Sequence, residues 1–119
     1  MTSSTLGIQH VSHDTMKFLR DFQGLEVRLT DERLEHILEH PEMKGSETAI
    51  GVTLAYPERM IESLFDPDIR LYYRFYRGTV VGAKHLCVVV KIGGEDAFIL
   101  TAYLTDSIKR GWRRWPETE

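Results

Sequence analysis

The strongest constraint on the fold is the apolar run HLCVVVKI at residues 85–92. An unbroken apolar run rich in β-branched residues is typical of a strand buried on both faces in the centre of a sheet. Strand-like segments flank it, namely IRLYYRFYR at 69–77 and AFILTAYLT at 97–105, the second joined to the central run by GGED. Because short glycine-containing connections join antiparallel strands, these segments predict an antiparallel meander.

Helix signals come before these strands. In LTDERLEHILEHPEM, at residues 29–43, Thr30 is placed to cap a helix that two acidic residues begin and Pro41 ends. A second helix is predicted from Ser46 to the proline at 57. A short third helix is predicted after the last strand, beginning at Asp106. Residues 1–24 are predicted to form an N-terminal arm or a short helix.

The order of these elements predicts an α+β domain. One or two N-terminal helices are expected to pack on a twisted antiparallel sheet of four to five strands. A chain of 119 residues suits one compact domain, which we assign to residues 25–119. Cys87 is the only cysteine, so a disulfide framework is excluded and a buried, reduced thiol is expected.

The overall composition is that of a globular protein, with 42% hydrophobic and 28% charged residues. No segment approaches the roughly 18 apolar residues of a membrane span. The first residues, MTSSTLGIQH, lack the basic start and apolar run of a secretory signal. We therefore expect a cytoplasmic protein without a membrane partner.

Charge is distributed unevenly along the chain. The net charge of −3 argues against a nonspecific nucleic-acid binder, which usually carries a basic excess. From residue 69 onward, however, the acidic residues before the terminal PETE are Glu95, Asp96 and Asp106. The same half carries the basic residues Arg70, Arg74, Arg77, Lys84, Lys91, Lys109, Arg110, Arg113 and Arg114. A local basic surface is therefore compatible with the acidic total.

His36 and His40 lie four residues apart on the predicted helix. Projection at about 100° per residue groups Leu34, Ile37 and Leu38 as the core face and leaves both histidines outside it. They are a metal clip, an acid/base pair or two solvated side chains. The metal reading is weakest, because Ile37 stands where a zincin-type motif has its general-base glutamate and the spacing of His10, His13 and His85 indicates no third ligand. No metal and no cofactor are predicted.

Strand alternation suggests a second group of polar residues. Arg70, Tyr72, Arg74 and Tyr76 share one face of their strand, and Thr101, Tyr103 and Thr105 share one face of another. If every apolar face turns toward the helices, then Arg74, Lys91, Thr101 and Tyr103 converge on one open sheet surface. Alternating cations and aromatic rings suit phosphates and stacked bases. The alternative is an ordinary polar sheet face, cross-paired with Glu62 or Asp66.

The sequence resembles a family of small nucleases, the phage-associated branch of the barnase–EndoU–colicin–RelE-like fold. The matching stretches are LTDERLEHILEHPEM, YYRFY, LCVVVKI and FILTAYLTDSIKRGW, which together cover about residues 29–115. The helix His-Ile followed by His-Pro-Glu, and the later Thr-Ala-Tyr-x-Thr-Asp, carry the resemblance. Glu35 departs from it, because the family often has an aromatic residue there.

The resemblance implies metal-independent RNA cleavage, in which a 2′-hydroxyl attacks the adjacent phosphorus. His36 would then be the general base or acid and His40 its partner or an orienting residue. Arg74 or Lys91 would stabilise the phosphorane, Thr101 would contact a phosphate oxygen, and Tyr72 or Tyr103 would stack a base. The candidate catalytic residues are His36, His40, Arg74, Lys91 and Thr101, and the candidate substrate-binding residues are Arg70, Tyr72, Tyr103 and Lys109.

The expected partners are RNA and a cognate antitoxin or immunity protein. Related folds use different catalytic residues, so the fold alone does not fix the roles. The alternative function is a non-catalytic module that binds RNA or protein on the same scaffold. The acidic net charge and Glu35 beside His36 favour that alternative.

Overall fold

The structure is a computed structural model that describes residues 15–116. In chain order its elements are β1 (Met16–Arg20), β2 (Glu26–Thr30), α1 (Asp31–Leu38), a 3-10 turn (Pro41–Met43), α2 (Glu47–Ala55), β3 (Arg59–Ser63), β4 (Ile69–Thr79), β5 (Gly82–Gly93), β6 (Asp96–Thr105) and β7 (Gly111–Trp115). The protein is an α+β protein, as the sequence predicts.

The described strands form one mixed sheet in the order β1-β2-β6-β5-β4-β3-β7. All neighbours are antiparallel except β2 and β6, which run parallel and pair at Arg28 and Phe98. The prediction of four to five antiparallel strands was therefore wrong. The additional strands are short and lie at the two edges of the sheet, where the sequence pattern is weakest.

The segment before Gly24 corrects the prediction of an N-terminal arm or short helix for residues 1–24. Residues 16–20 form strand β1, which a turn with Gly24 at a φ of +88° joins to β2. Residues 1–14 of that prediction lie outside the described residues. Only glycine adopts such a positive φ without a steric cost, so Gly24 permits the tight connection between the two strands.

The two helices cover one face of the sheet, which we call the helix side. Thr30 caps α1 by accepting a hydrogen bond from the backbone N–H of Arg33 at 3.1 Å, as predicted. The buried core between the helices and the sheet consists of Val27, Leu29, Ile37, Met43, Ile50, Leu54, Met60, Tyr72, Leu86, Val88, Val90, Ala97, Ile99 and Ala102.

The opposite face, which we call the open face, carries a second and smaller apolar cluster. Its buried members are Ile61, Leu71, Tyr73, Cys87 and Val89, so the expected burial of the thiol is confirmed. The connection from β6 to β7, residues 106–110, passes over this cluster and places Ile108 against it. We call these five residues the crossover strap.

The crossover strap is not helical, so the helix predicted from Asp106 was wrong. Strand β7 is four strand positions away from β6, a distance of about 19 Å. An extended chain gains about 3.3 Å per residue and spans that distance, whereas a helix gains about 1.5 Å per residue and does not. The position of β7 at the far edge therefore requires an extended strap.

The strap ends at Gly111, where β7 meets β3. A Cβ atom on Gly111 would lie 2.3 Å from the carbonyl oxygen of Glu62, so only glycine allows this approach. Among residues 15–116, no helix has the length and apolar character needed to cross a membrane.

Candidate nucleic-acid interface

His36 on α1 and His40, which follows the helix and precedes the 3-10 turn, lie on the outer surface of the helix side. Both side chains are exposed, as predicted, and Ile37 between them is buried in the core. The Nδ1 atom of His36 lies 3.8 Å from the Oε1 atom of Glu39. Within the described part of the chain, no group of three metal-ligating side chains is found.

The side chains of strand β4 alternate between the two faces of the sheet, as predicted. However, the face with Tyr72 and Tyr76 turns toward the helices, and the face with Leu71 and Tyr73 turns away from them. Tyr72 is fully buried on the helix side, where its hydroxyl donates a 2.7 Å hydrogen bond to Asp21. Tyr76 also packs against the helix-side core, and Arg74 donates to the backbone carbonyl of Tyr56 at 2.7 Å. Arg70 shares this face because it alternates in register with these residues.

The expectation that every apolar face turns toward the helices was therefore wrong for β4. The physical reason is that the helix side offers partners for tyrosine hydroxyls. Asp21 accepts from Tyr72, and the hydroxyl of Tyr76 lies 3.0 Å from the Oγ1 of Thr53 on α2. A tyrosine with a satisfied hydroxyl is as suitable for a core as a purely apolar side chain.

The predicted site residues are divided between the two faces. The helix side holds His36, His40, Arg70, Tyr72 and Arg74. The open face holds Lys91, Thr101, Tyr103 and Lys109, because their strand partners Ile69, Val89, Cys87 and the neighbouring Tyr73 belong to the open-face cluster. Lys91 and Thr101 thus share a face, as predicted, but Arg74 does not, and the sheet lies between the histidines and Thr101.

A row of aromatic and cationic residues crosses the open face at one level of the sheet. Pairing between neighbouring strands places Phe18 beside Arg28, Arg28 beside Phe98, and Phe98 beside Lys91. We call these four residues the aromatic–cation row. The Arg28 guanidinium lies 5.2 Å from the centroid of the Phe98 ring, and Phe18 is 58% exposed.

Each cation of the row is oriented by a carboxylate. Arg28 and Lys91 lie 2.7 Å from Asp96 and Asp66, respectively. Hydrogen bonding to these cations is the main cause that lowers the pKa of both carboxyl groups below the ordinary value. Such half-exposed pairs add little stability, but they restrict the rotamers of the long cationic side chains.

Sequence reasoning missed Phe18, Arg28 and Phe98. Phe18 fell in a segment interpreted as helix, and MKFLR at residues 16–20 lacks the regular apolar–polar alternation that would have indicated a strand. The adjacency of Arg28 and Phe98 depends on the parallel pairing of β2 with β6, which no local pattern indicates.

The crossover strap covers a buried cluster of titratable groups. The backbone N–H of Lys109 donates to the hydroxyl of Tyr73 at 3.1 Å, and the Lys109 ammonium lies 5.8 Å from the centroid of the Tyr103 ring. Burial is the main cause that raises the pKa of Cys87 to about 11. Burial likewise raises the pKa of Tyr73 and Tyr103 above the ordinary value.

We expect the free energy of unfolding to fall as the pH rises above about 9. The unfolded chain loses the protons of Cys87, Tyr73 and Tyr103 near the ordinary pKa values of 9.0 and 10.0, whereas the folded protein retains them. The unfolded state then binds fewer protons, so the stability present at neutral pH is lost as the pH rises. Urea midpoints at pH 7.5 and 10.5 measure this, and Tyr73→Phe should reduce the difference. Equal midpoints for the wild type would contradict the expectation.

In comparisons with known proteins, no family model, curated protein or solved structure matches the chain. The resemblance to small nucleases therefore stays a prediction. The arrangement of side chains on the two faces of the sheet is what bears on function.

Proposed function

We propose that the open face binds single-stranded RNA without cleaving it. The observation that carries the proposal is the aromatic–cation row, in which the exposed ring of Phe18 and the partly buried ring of Phe98 alternate with oriented cations across neighbouring strands. Sheet surfaces with exposed aromatic residues stack unpaired bases in other RNA-binding folds. Each stacked base contributes about 1–3 kcal/mol, and nearby cations neutralise the phosphates.

The spacing of the row supports a splayed single strand. Phe18 and Phe98 lie on strands β1 and β6, which β2 separates, so their backbones are about 10 Å apart. Unpaired bases are free to leave their own stack and lie on separated rings, whereas the bases of a duplex are held between their neighbours. We therefore expect the protein to prefer single strands to duplexes of the same sequence.

The acidic surface of α1 also favours RNA binding on the open face rather than on the helix side. Glu32, Glu35 and Glu39 are exposed on α1, on the side of the sheet opposite the aromatic–cation row. A polyanion is repelled from that surface. On the open face Arg28 and Lys91 are paired with Asp96 and Asp66, but the exposed Lys109 and Arg110 of the crossover strap attract a polyanion. The acidic net charge of the chain is therefore compatible with RNA binding.

The position of the histidines favours binding over cleavage. A general base must reach the proton that it removes, within about 3 Å or through one water. An RNA strand on the open face would be separated from His36 and His40 by the thickness of the sheet. The exposed glutamates beside these histidines would also repel a phosphate. The ribonuclease hypothesis therefore has weaker geometric support than the binding module.

Lys109→Ala should weaken binding of a fluorescein-labelled 12-nucleotide RNA and change its salt dependence. Lys109 is exposed on the crossover strap, and loss of one phosphate contact should reduce the slope of log K against log salt by about 0.7. Fluorescence anisotropy in EDTA over a salt series measures both quantities. The matched control is Lys44→Ala, an exposed lysine at the end of the 3-10 turn on the helix side, which should leave affinity and slope unchanged.

The same samples, run on a denaturing gel, test for cleavage. The RNA is expected to remain intact in EDTA. Cleavage that His36→Ala slows by about a hundredfold would instead support the catalytic hypothesis. An equal effect of the Lys109 and Lys44 variants on affinity would contradict binding by the open face.

A further inference from the structure

A groove beside the crossover strap has a composition that the aromatic–cation row does not explain. It has a volume of about 480 Å³ and is lined by Arg59, Ile61, Leu64, Ile108, Lys109, Arg110, Gly111, Trp112 and Arg113. We call it the strap groove. We propose that it binds a terminal phosphomonoester of the RNA strand together with its nucleoside. This inference rests on the proposed function and specifies which end group the same surface recognises.

The charge of the strap groove favours a dianion. Among the described residues that line it, four are cationic and none is acidic. Two of these cations, Lys109 and Arg110, are exposed on the crossover strap. A backbone phosphodiester carries one negative charge, whereas a terminal phosphate carries between about 1.5 and 2 at pH 7. Cations that converge on one concavity suit the more highly charged group.

The remaining lining residues suit the sugar and base of one nucleotide. Ile61, Leu64 and Ile108 provide an apolar surface on which a base can lie. A volume of about 480 Å³ falls within the range of small-molecule sites, roughly 300–1,000 Å³. The strap groove therefore combines an anion site with an apolar site at the scale of one nucleotide.

Lys109 connects the strap groove with the open face. It lines the groove, and its ammonium lies 5.8 Å from the centroid of the Tyr103 ring on β6. A strand that ends in the groove therefore continues past Tyr103 toward the aromatic–cation row. In this arrangement the groove fixes the end of the strand and the row contacts its interior.

The test compares three single-stranded RNAs of one sequence, which carry a 5′-phosphate, a 3′-phosphate or hydroxyl groups at both ends. One of the two phosphorylated RNAs is expected to bind roughly tenfold more tightly than the hydroxyl form, which corresponds to one set of charge-assisted hydrogen bonds. Arg110→Ala should remove this difference while it leaves binding of the hydroxyl form nearly unchanged. Arg28→Ala, outside the groove, should weaken all three to the same extent.

The outcomes separate this inference from the proposed function. Equal affinities of the wild type for the three RNAs would overturn the inference and leave single-strand binding in place. A failure of every RNA to bind would contradict the proposed function. Titration with nucleoside 5′- and 3′-monophosphates would then test whether the strap groove binds a terminal phosphate without the rest of the strand. Calorimetric binding of one nucleoside monophosphate that Arg110→Ala abolishes would support the groove, and no binding of either monophosphate by the wild type would overturn it.

Discussion

Asp21→Ala is expected to lower the free energy of unfolding by about 2–4 kcal/mol, because one carboxylate satisfies three buried or half-buried donors. Asp21 is only 4% exposed. Its Oδ2 atom accepts from the Tyr72 hydroxyl at 2.7 Å, and its Oδ1 atom accepts from the backbone N–H groups of Gln23 and Leu25 at 2.9 Å. Removal of the carboxylate leaves the hydroxyl of a fully buried tyrosine without this partner and loosens the β1–β2 turn.

Urea denaturation of a double-mutant cycle measures this effect. Tyr72→Phe alone should cost less than Asp21→Ala, because the Asp21 carboxylate keeps its two backbone donors. The coupling between the two substitutions should be at least about 0.5 kcal/mol, as expected for residues in direct contact. Asp106→Ala, at an exposed carboxylate, is the control and should change stability by less than about 0.5 kcal/mol. A loss below 1 kcal/mol in Asp21→Ala would contradict this role.

The elements with strong local signals could be predicted from the sequence. Thr30, the acidic first turn and Pro41 bracket α1, and its observed bounds are Asp31–Leu38. The central strands follow from long apolar and aromatic runs, which bury surface in any arrangement of the sheet. The α+β class required only the order of these segments.

The edges of the sheet could not be predicted because their strands are short. MKFLR at residues 16–20 and GWRRW at residues 111–115 carry only five residues each, and they become strands by pairing with β2 and β3. Their intrinsic preference is weak, so the tertiary context decides the conformation. The same context decides that the strap between β6 and β7 is extended.

The prediction of the candidate site was right about the alternation of side chains along β4. It was wrong about which face of β4 turns toward the helices. Both faces of IRLYYRFYR carry aromatic residues, so hydrophobicity alone does not decide which face turns inward. Asp21 and Thr53, which lie 51 and 23 residues away from their tyrosine partners, decide it by accepting or sharing hydroxyl hydrogen bonds. Pairing of this kind is invisible to a local pattern. Arg74 therefore lies on the opposite face from Lys91, and the aromatic–cation row is the surface that we propose binds RNA.

Phe18→Ala is expected to produce the largest loss of RNA affinity among single substitutions on the open face. The ring is 58% exposed on an edge strand, next to Arg28, so it is available to stack on a base. Loss of one stacked base corresponds to about 1–3 kcal/mol, or on the order of a tenfold to hundredfold rise in Kd. The substitution removes little buried surface, so the fold should remain intact.

The most direct test compares Phe18→Ala with Tyr56→Ala in fluorescence anisotropy with one labelled single-stranded RNA at fixed salt. Tyr56 is the matched control, because it is also an exposed aromatic residue, at 69%, but lies at the end of α2 on the helix side. Open-face binding predicts at least about tenfold weaker binding for Phe18→Ala and a change below about threefold for Tyr56→Ala. An unchanged affinity in Phe18→Ala, or a larger loss in Tyr56→Ala, would contradict RNA binding by the open face.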